Sequence, residues 1–146
     1  MRAVVKRRLT RCPLMTLILL IGCDSSGPSP RVPTVESDPE LSLGLEVYRS
    51  QYCGTCHAFE LAGTGGIFGP THDGMVALAA DRIDDPGYSG SATTPEEYVL
   101  ESIVDPSAYR TPGFERTRFA MPSYAHLDTP QLEALVRLLL HEREKD

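Results

Sequence analysis

Two cysteines three positions apart, with a histidine directly after the second, lie in the stretch SQYCGTCHAFE, Ser50 to Glu60. Cys53, Cys56 and His57 constrain the fold more than any other feature, because thiols and an imidazole this close together are arranged to hold something. A zinc site needs four ligands, from two Cys-x-x-Cys pairs or from one pair and a distant histidine pair. The chain has no second cysteine pair, and His72, His126 and His141 form no H-x3-5-H spacing. A redox dithiol belongs at a helix start in a βαβ setting. Here the pair follows a helical pattern and no βαβ unit surrounds it.

Cys-x-x-Cys-His is also the attachment signature for c-type haem. Thiols separated by two intervening residues can add to the two vinyl groups along one porphyrin edge, and the next residue can present its imidazole to the iron. Of the four cysteines, Cys12 and Cys23 lie near the front of the chain, which leaves this pair alone in the region with helical patterning. The motif is therefore read as a covalent haem site, with haem c as cofactor.

Arg2, Lys6, Arg7, Arg8 and Arg11 form a basic head without an acid, followed by an apolar run from Leu14 to Ile21. A run of eight residues, seven of them apolar, is far too short for a spanning helix, which takes roughly 20. The pattern reads as an export signal over residues 1–22. Its end, LIGC, resembles the lipobox of bacterial lipoproteins; the resemblance implies cleavage before Cys23 and lipid attachment there, on the outer face of a bacterial membrane. The alternative is an ordinary cleaved signal. Without it the chain has nine basic and twenty acidic residues, a net charge of −11. Such a chain should repel nucleic acid, and a basic protein face is the expected partner.

Residues 23–38 are rich in serine and proline and read as a flexible tether; residues 39–146 read as one domain. A first helix is expected from Pro39 to Gln51, with Leu41, Leu45, Tyr48 and Tyr52 as its apolar stripe. Gly44 on that stripe suggests a close helix crossing. A middle helix is expected to start at Thr94-Pro95 with a capping box to Glu97 and to stop before Pro106. A last helix is expected to start at Asp128 with Gln131 closing its cap; Leu132, Leu135, Val136 and Leu139 form the face offered to Gly44. No strand pattern is visible. All ten aromatic residues fall between Tyr48 and Tyr124, as expected of walls around a large apolar group.

The segments LGLEVYRSQYCGTCH, GGIFGP, MPSY and LDTPQLEALVRLLL together resemble a class I cytochrome c domain over residues 39–146. The resemblance implies an all-α fold wrapped around one haem, with first and last helices crossing near Gly44. It also implies that the Pro70 carbonyl accepts a hydrogen bond from His57, and that His57 and Met121 are the axial ligands. The stretch GYSGSATTPEEYVLESIVDPSAYRTPGF is similar to cytochrome c domains attached to respiratory complexes. One departure is His72, where the family more often has leucine; it is expected to be a partly exposed loop histidine. Met75, 18 residues after His57, is expected to stay on the histidine's side.

The expected function is a membrane-anchored, single-haem carrier of electrons between respiratory partners, not itself an enzyme. Two alternatives stand beside it: a fixed haem subunit of an oxidase or quinol-oxidising complex, and a haem enzyme or sensor with an open sixth position.

Overall fold

The computed structural model describes residue 35 and residues 37–141, all within one compact unit, Val32–Asp146. The signal, Cys23 and almost all of the tether expected over residues 23–38 lie outside the described residues. The order is α1 (Pro39–Ser50), a 3-10 turn (Cys53–Thr55), β1 (His57–Phe59), a second 3-10 turn (Glu60–Ala62), β2 (Thr64–Ile67), α2 (Met75–Ile83), α3 (Pro95–Val104) and α4 (Thr129–Leu139). No helix among the described residues is long and apolar enough to cross a membrane.

Short-range chemistry sets the helix starts. Asp38 accepts from the amides of Glu40 and Leu41 and caps α1. Thr94 with Glu97, and Asp128 with Gln131, form reciprocal capping boxes on α3 and α4, which satisfy amides that the helix itself leaves unpaired. Each of the three helices has proline in its first turn.

The core is built where α1 packs on α4. An added methyl at Gly44 would lie 2.3 Å from the Ala134 carbonyl oxygen and 2.8 Å from Leu138 Cβ. Only a hydrogen fits there, so the two backbones approach more closely than any side chain would allow. Leu41, Tyr48, Leu135 and Leu138 are fully buried around the contact, and each large apolar side chain contributes about 1.5–3 kcal/mol on leaving water. Arg137 donates to Asp38 at 2.6 Å, tying the end of α4 to the cap of α1.

Several expectations shift. Tyr52 is not on the α1 stripe: the helix stops at Ser50, the backbone turns left-handed at Tyr52 (φ 58°), and the ring is 78% exposed. Val47 is buried instead, and Leu45 is only half-buried. On α4 the face against Gly44 is Ala134 and Leu138, while Leu132 and Val136 are half-buried; a missing side chain draws in the backbone, not the longest neighbours. The helices are joined by a two-stranded antiparallel hairpin, with Ala58 opposite Gly65 and Phe59 opposite Thr64. Its strands of three and four residues rest on main-chain pairing, without the β-branched alternation that marks longer strands. Helix α2 also goes unannounced, because its cap is Gly74 in a left-handed conformation, with no capping side chain.

Candidate functional site

Cys53 opens the 3-10 turn after α1, Cys56 closes it, and His57 begins β1. The chain then turns through the hairpin and returns along Gly69, Pro70 and His72. Phe68 and Gly69 both donate their amides to the Cys56 carbonyl, and the His72 amide donates to Ala58. This return brings the Pro70 carbonyl to 2.7 Å from His57 Nδ1. A carbonyl can only accept, so Nδ1 carries the proton and Nε2 keeps a free lone pair. Gly69 packs flat against the ring; a methyl there would lie 2.4 Å from His57 Cε1. The imidazole is thus held in one tautomer and one orientation. Burial lowers the His57 pKa, opposed by the Pro70 hydrogen bond, so the ring stays neutral and able to ligate.

Cys53 and Cys56 are both free thiols. Burial pushes the Cys53 thiol up to about 11. A dithiol catalyst needs the opposite shift, since the thiolate is the nucleophile. Among the described residues no three His, Cys, Asp or Glu side chains are grouped so as to hold a metal ion, so a structural zinc site has no donor set there.

Cys53, Cys56 and His57 open onto a cavity of about 290 Å³ that Met121 also lines. Eight of the ten aromatic rings stand in its wall. Among the described residues its charged lining residues are Arg82 and Arg110, with no carboxylate. The segment carrying Met121 is pinned just after that residue. Ser123 Oγ donates to the Val104 carbonyl at the end of α3, the Tyr124 amide donates to Ile103, and the Tyr124 hydroxyl donates to Gln51 beyond α1. Met121 is half-buried and Phe119, two residues earlier, is 52% exposed. Met75 lines the same cavity from the first turn of α2, fully buried, with its sulfur 4.0 Å from Arg82 Nη1.

His72 is not the partly exposed loop residue expected. It is 9% exposed, and its ring stacks on His57 with centroids 4.1 Å apart and planes 16° from parallel. Tyr48 and Phe59 meet it edge-on. Its Nδ1 is buried without a hydrogen-bond partner. Burial, then the neighbouring His57 and Arg82, hold its pKa well below the ordinary histidine value, so it is a neutral packing ring. The cause is the return of the chain after Pro70, which folds His72 under the hairpin; nothing local to THDGM announces it. Being stacked beside His57, it shares that ring's side of the cavity. His126 is exposed and does not line the cavity.

Sequence reasoning also missed Arg82 and Arg110. Arg82 donates to the Tyr98 hydroxyl and lies over its ring, 5.8 Å from the centroid. Its approach to the cavity depends on α2, whose start has no side-chain signal. No family model matches the chain, and no curated protein matches it.

Proposed function

We propose that the chain is a c-type cytochrome: a single-haem, lipid-anchored carrier that passes electrons one at a time between respiratory-chain proteins. The observation that carries this reading is the shared cavity. Two free thiols, an imidazole with a fixed tautomer and a bare Nε2, and a thioether from a distant segment all line one aromatic-walled space.

The residues fit the group. The apolar rings match the faces of a porphyrin, and two arginines with no carboxylate suit its two propionates. Cys53 and Cys56 would hold it through thioether bonds, and His57 Nε2 and Met121 Sδ would be the donors offered to its iron. Bound there, haem supplies a one-electron couple at its iron. The chain's own residues do the rest. Pro70 and Gly69 keep the His57 ring from turning, and the pinning of residues 123–124 keeps Met121 in place. With both donors supplied by the chain, the site would favour electron transfer over catalysis. Neutral nitrogen and sulfur ligands favour the reduced state relative to two nitrogen ligands.

The test is attachment. Protein purified from a host with haem-attachment machinery should carry one haem that acid–acetone does not extract, and Cys53→Ala with Cys56→Ala should lose it. Bound zinc in place of haem would overturn the reading.

A further inference from the structure

Helix α4 is apolar over more of its circumference than the rest of the described fold covers. Ala134 and Leu138 meet Gly44 of α1, and Leu135 and Leu139 line the cavity of Cys53, Cys56 and His57. Leu132, Val136 and Leu140 remain. They are spaced four apart, so they stand in one row along the helix, and all three are only half-buried. A helix apolar on this many sides belongs in an interior, yet the row lines a groove. The groove's other helix is α3, which divides its faces in the same way. Tyr98, Val99 and Ile103 line the cavity, while Leu100, 39% exposed, lines the groove. No residue lines both, so the groove lies on a face of the helix pair that the cavity does not use.

The edge of this groove carries charge mostly of one sign. Among the described residues the charged side chains lining it are four carboxylates, Asp38, Glu96, Glu97 and Glu133, and one arginine, Arg137; His141 lines it as well. Arg137 is already engaged, at 2.6 Å with Asp38 and 2.8 Å with Glu40. The Glu97 carboxylate accepts from the Thr93 and Thr94 amides and belongs to the α3 cap. Glu96 and Glu133, both exposed, therefore set the potential at the groove edge.

We infer that this groove is a docking site for a basic amphipathic helix of a partner protein. The helix covers Leu100 and the row of Leu132, Val136 and Leu140 with its apolar face, and its lysines or arginines meet Glu96 and Glu133. The row spans about 12 Å, two turns of a helix, which matches the i, i+3, i+4, i+7 anchors by which such helices enter grooves. Charge chooses among the occupants. Anionic lipid and nucleic acid meet repulsion at the groove edge. A second copy related by a twofold axis would bring the same carboxylates against themselves. A basic partner gains at the edge and buries the row. The inference goes beyond the electron-carrier reading and does not depend on it, since no cavity residue takes part. Where that reading holds, a carrier gripped here keeps the lining of its cavity untouched, as suits a subunit held on one face and exchanging electrons on another.

The test uses the purified full-length protein in phosphatidylcholine nanodiscs, with empty nanodiscs as the blank. The probe is a fluorescein-labelled helical peptide of about 14 residues, with leucines on one face and lysines on the other. Its anisotropy reports binding, and carbodiimide labelling of carboxylates read by mass spectrometry reports where it binds. Glu96 and Glu133 should be protected severalfold and Glu46 should not. Leu100→Lys, and separately Glu96→Lys with Glu133→Lys, should weaken binding about tenfold or more. Glu46→Lys with Asp81→Lys makes the same change of net charge away from the groove and should weaken it less than about threefold. All of these side chains are exposed, so circular dichroism should match the wild type in each variant. No binding, or an equal loss in the two charge-reversed pairs, would overturn the proposal. Three other results would overturn it by assigning the groove elsewhere. Binding only after the chain is cut behind His141 would give it to the chain's own end. Self-association of the wild type that Leu100→Lys abolishes would give it to a second copy. Protection of Glu96 and Glu133 by phosphatidylglycerol nanodiscs without peptide would give it to a membrane. Absence of extraction-resistant haem would tell against the electron-carrier reading alone, because the peptide reports on the groove.

Discussion

Gly44→Ala should loosen the whole domain, and the structure sets the scale. The new methyl would stand 2.3 Å from the Ala134 oxygen and 2.8 Å from Leu138 Cβ. Ordinary contact would require α1 and α4 to separate by about 1 Å, and the first obstacle is backbone, which cannot rotate away. Overpacking of this kind costs typically 1–3 kcal/mol, and a backbone clash belongs at the upper end. Alanine returns roughly 1 kcal/mol of helix propensity over glycine. The clash wins, leaving a net loss of about 2 kcal/mol, which for a domain of this size lowers the melting temperature by about 8–16 °C. Thermal unfolding followed by far-ultraviolet circular dichroism measures it. Gly65→Ala, with nothing within 4 Å of the added methyl, is the control and should stay within about 0.5 kcal/mol, as surface changes usually do. If Gly44→Ala melts at the wild-type temperature or above, the close α1–α4 approach is refuted.

Other outcomes follow from the site and the caps. Met121→Ala should remove the weak iron–sulfur charge-transfer band of the ferric protein and lower the potential by several times the ~59 mV of a tenfold one-electron shift; survival of the band would refute Met121 as a ligand. His72→Leu loses a ring stack worth about 0.5–1.5 kcal/mol but removes an unpaired buried nitrogen costing about 1–3 kcal/mol. The urea midpoint should therefore hold or rise, and a fall would mean that Nδ1 has a partner. The carboxyl of Asp38 is pushed up by partial burial, but this is outweighed by the hydrogen bond from Arg137 and those from the α1 amides, and its pKa lies below the ordinary carboxylate value. Hydrogen bonds from Thr93 and Thr94 lower Glu97 likewise. A lowered folded-state pKa stabilises above the unfolded value and is lost as pH falls through the folded one. Denaturation midpoints should thus begin to fall below about pH 6.5, where the unfolded chain protonates the histidines that burial keeps neutral at His57 and His72, and fall further below about pH 4, with the Asp38 share of that second decline missing in Asp38→Asn.

What the sequence discloses here depends on the range of the interaction. Thr94 with Glu97 and Asp128 with Gln131 cap their own helices three residues away, so both starts are legible. So is the reason for Gly44, since glycine on an apolar stripe has few other uses. Cys53, Cys56 and His57 point to their proposed chemistry because all three side chains come from five consecutive residues. Helix α2 is hidden because Gly74 offers no side chain, and the hairpin because its bonds are between backbones. His72 is the instructive miss. Its burial is decided by the Pro70 carbonyl reaching His57 and by its own amide reaching Ala58, contacts that exist only once the chain has come back on itself. Arg82 and Arg110 are illegible for the same reason, because each reaches the cavity from an element placed by the rest of the fold.

The bond from Arg137 to Asp38 spans 99 positions, and α1 finds its closest partner in α4, the last helix described. Closing a loop of that length costs about 4 kcal/mol beyond a constant, from the logarithmic law for flexible chains. An emerging polypeptide therefore lacks the closest partner of its first helix until α4 has been made. During synthesis the chain stays open, with Gly44 facing nothing. For a chain exported through a narrow pore, as the proposed function would require, such lateness would be an advantage: the same wiring that makes the finished domain depend on α1 and α4 together would keep the unfinished one from folding too soon.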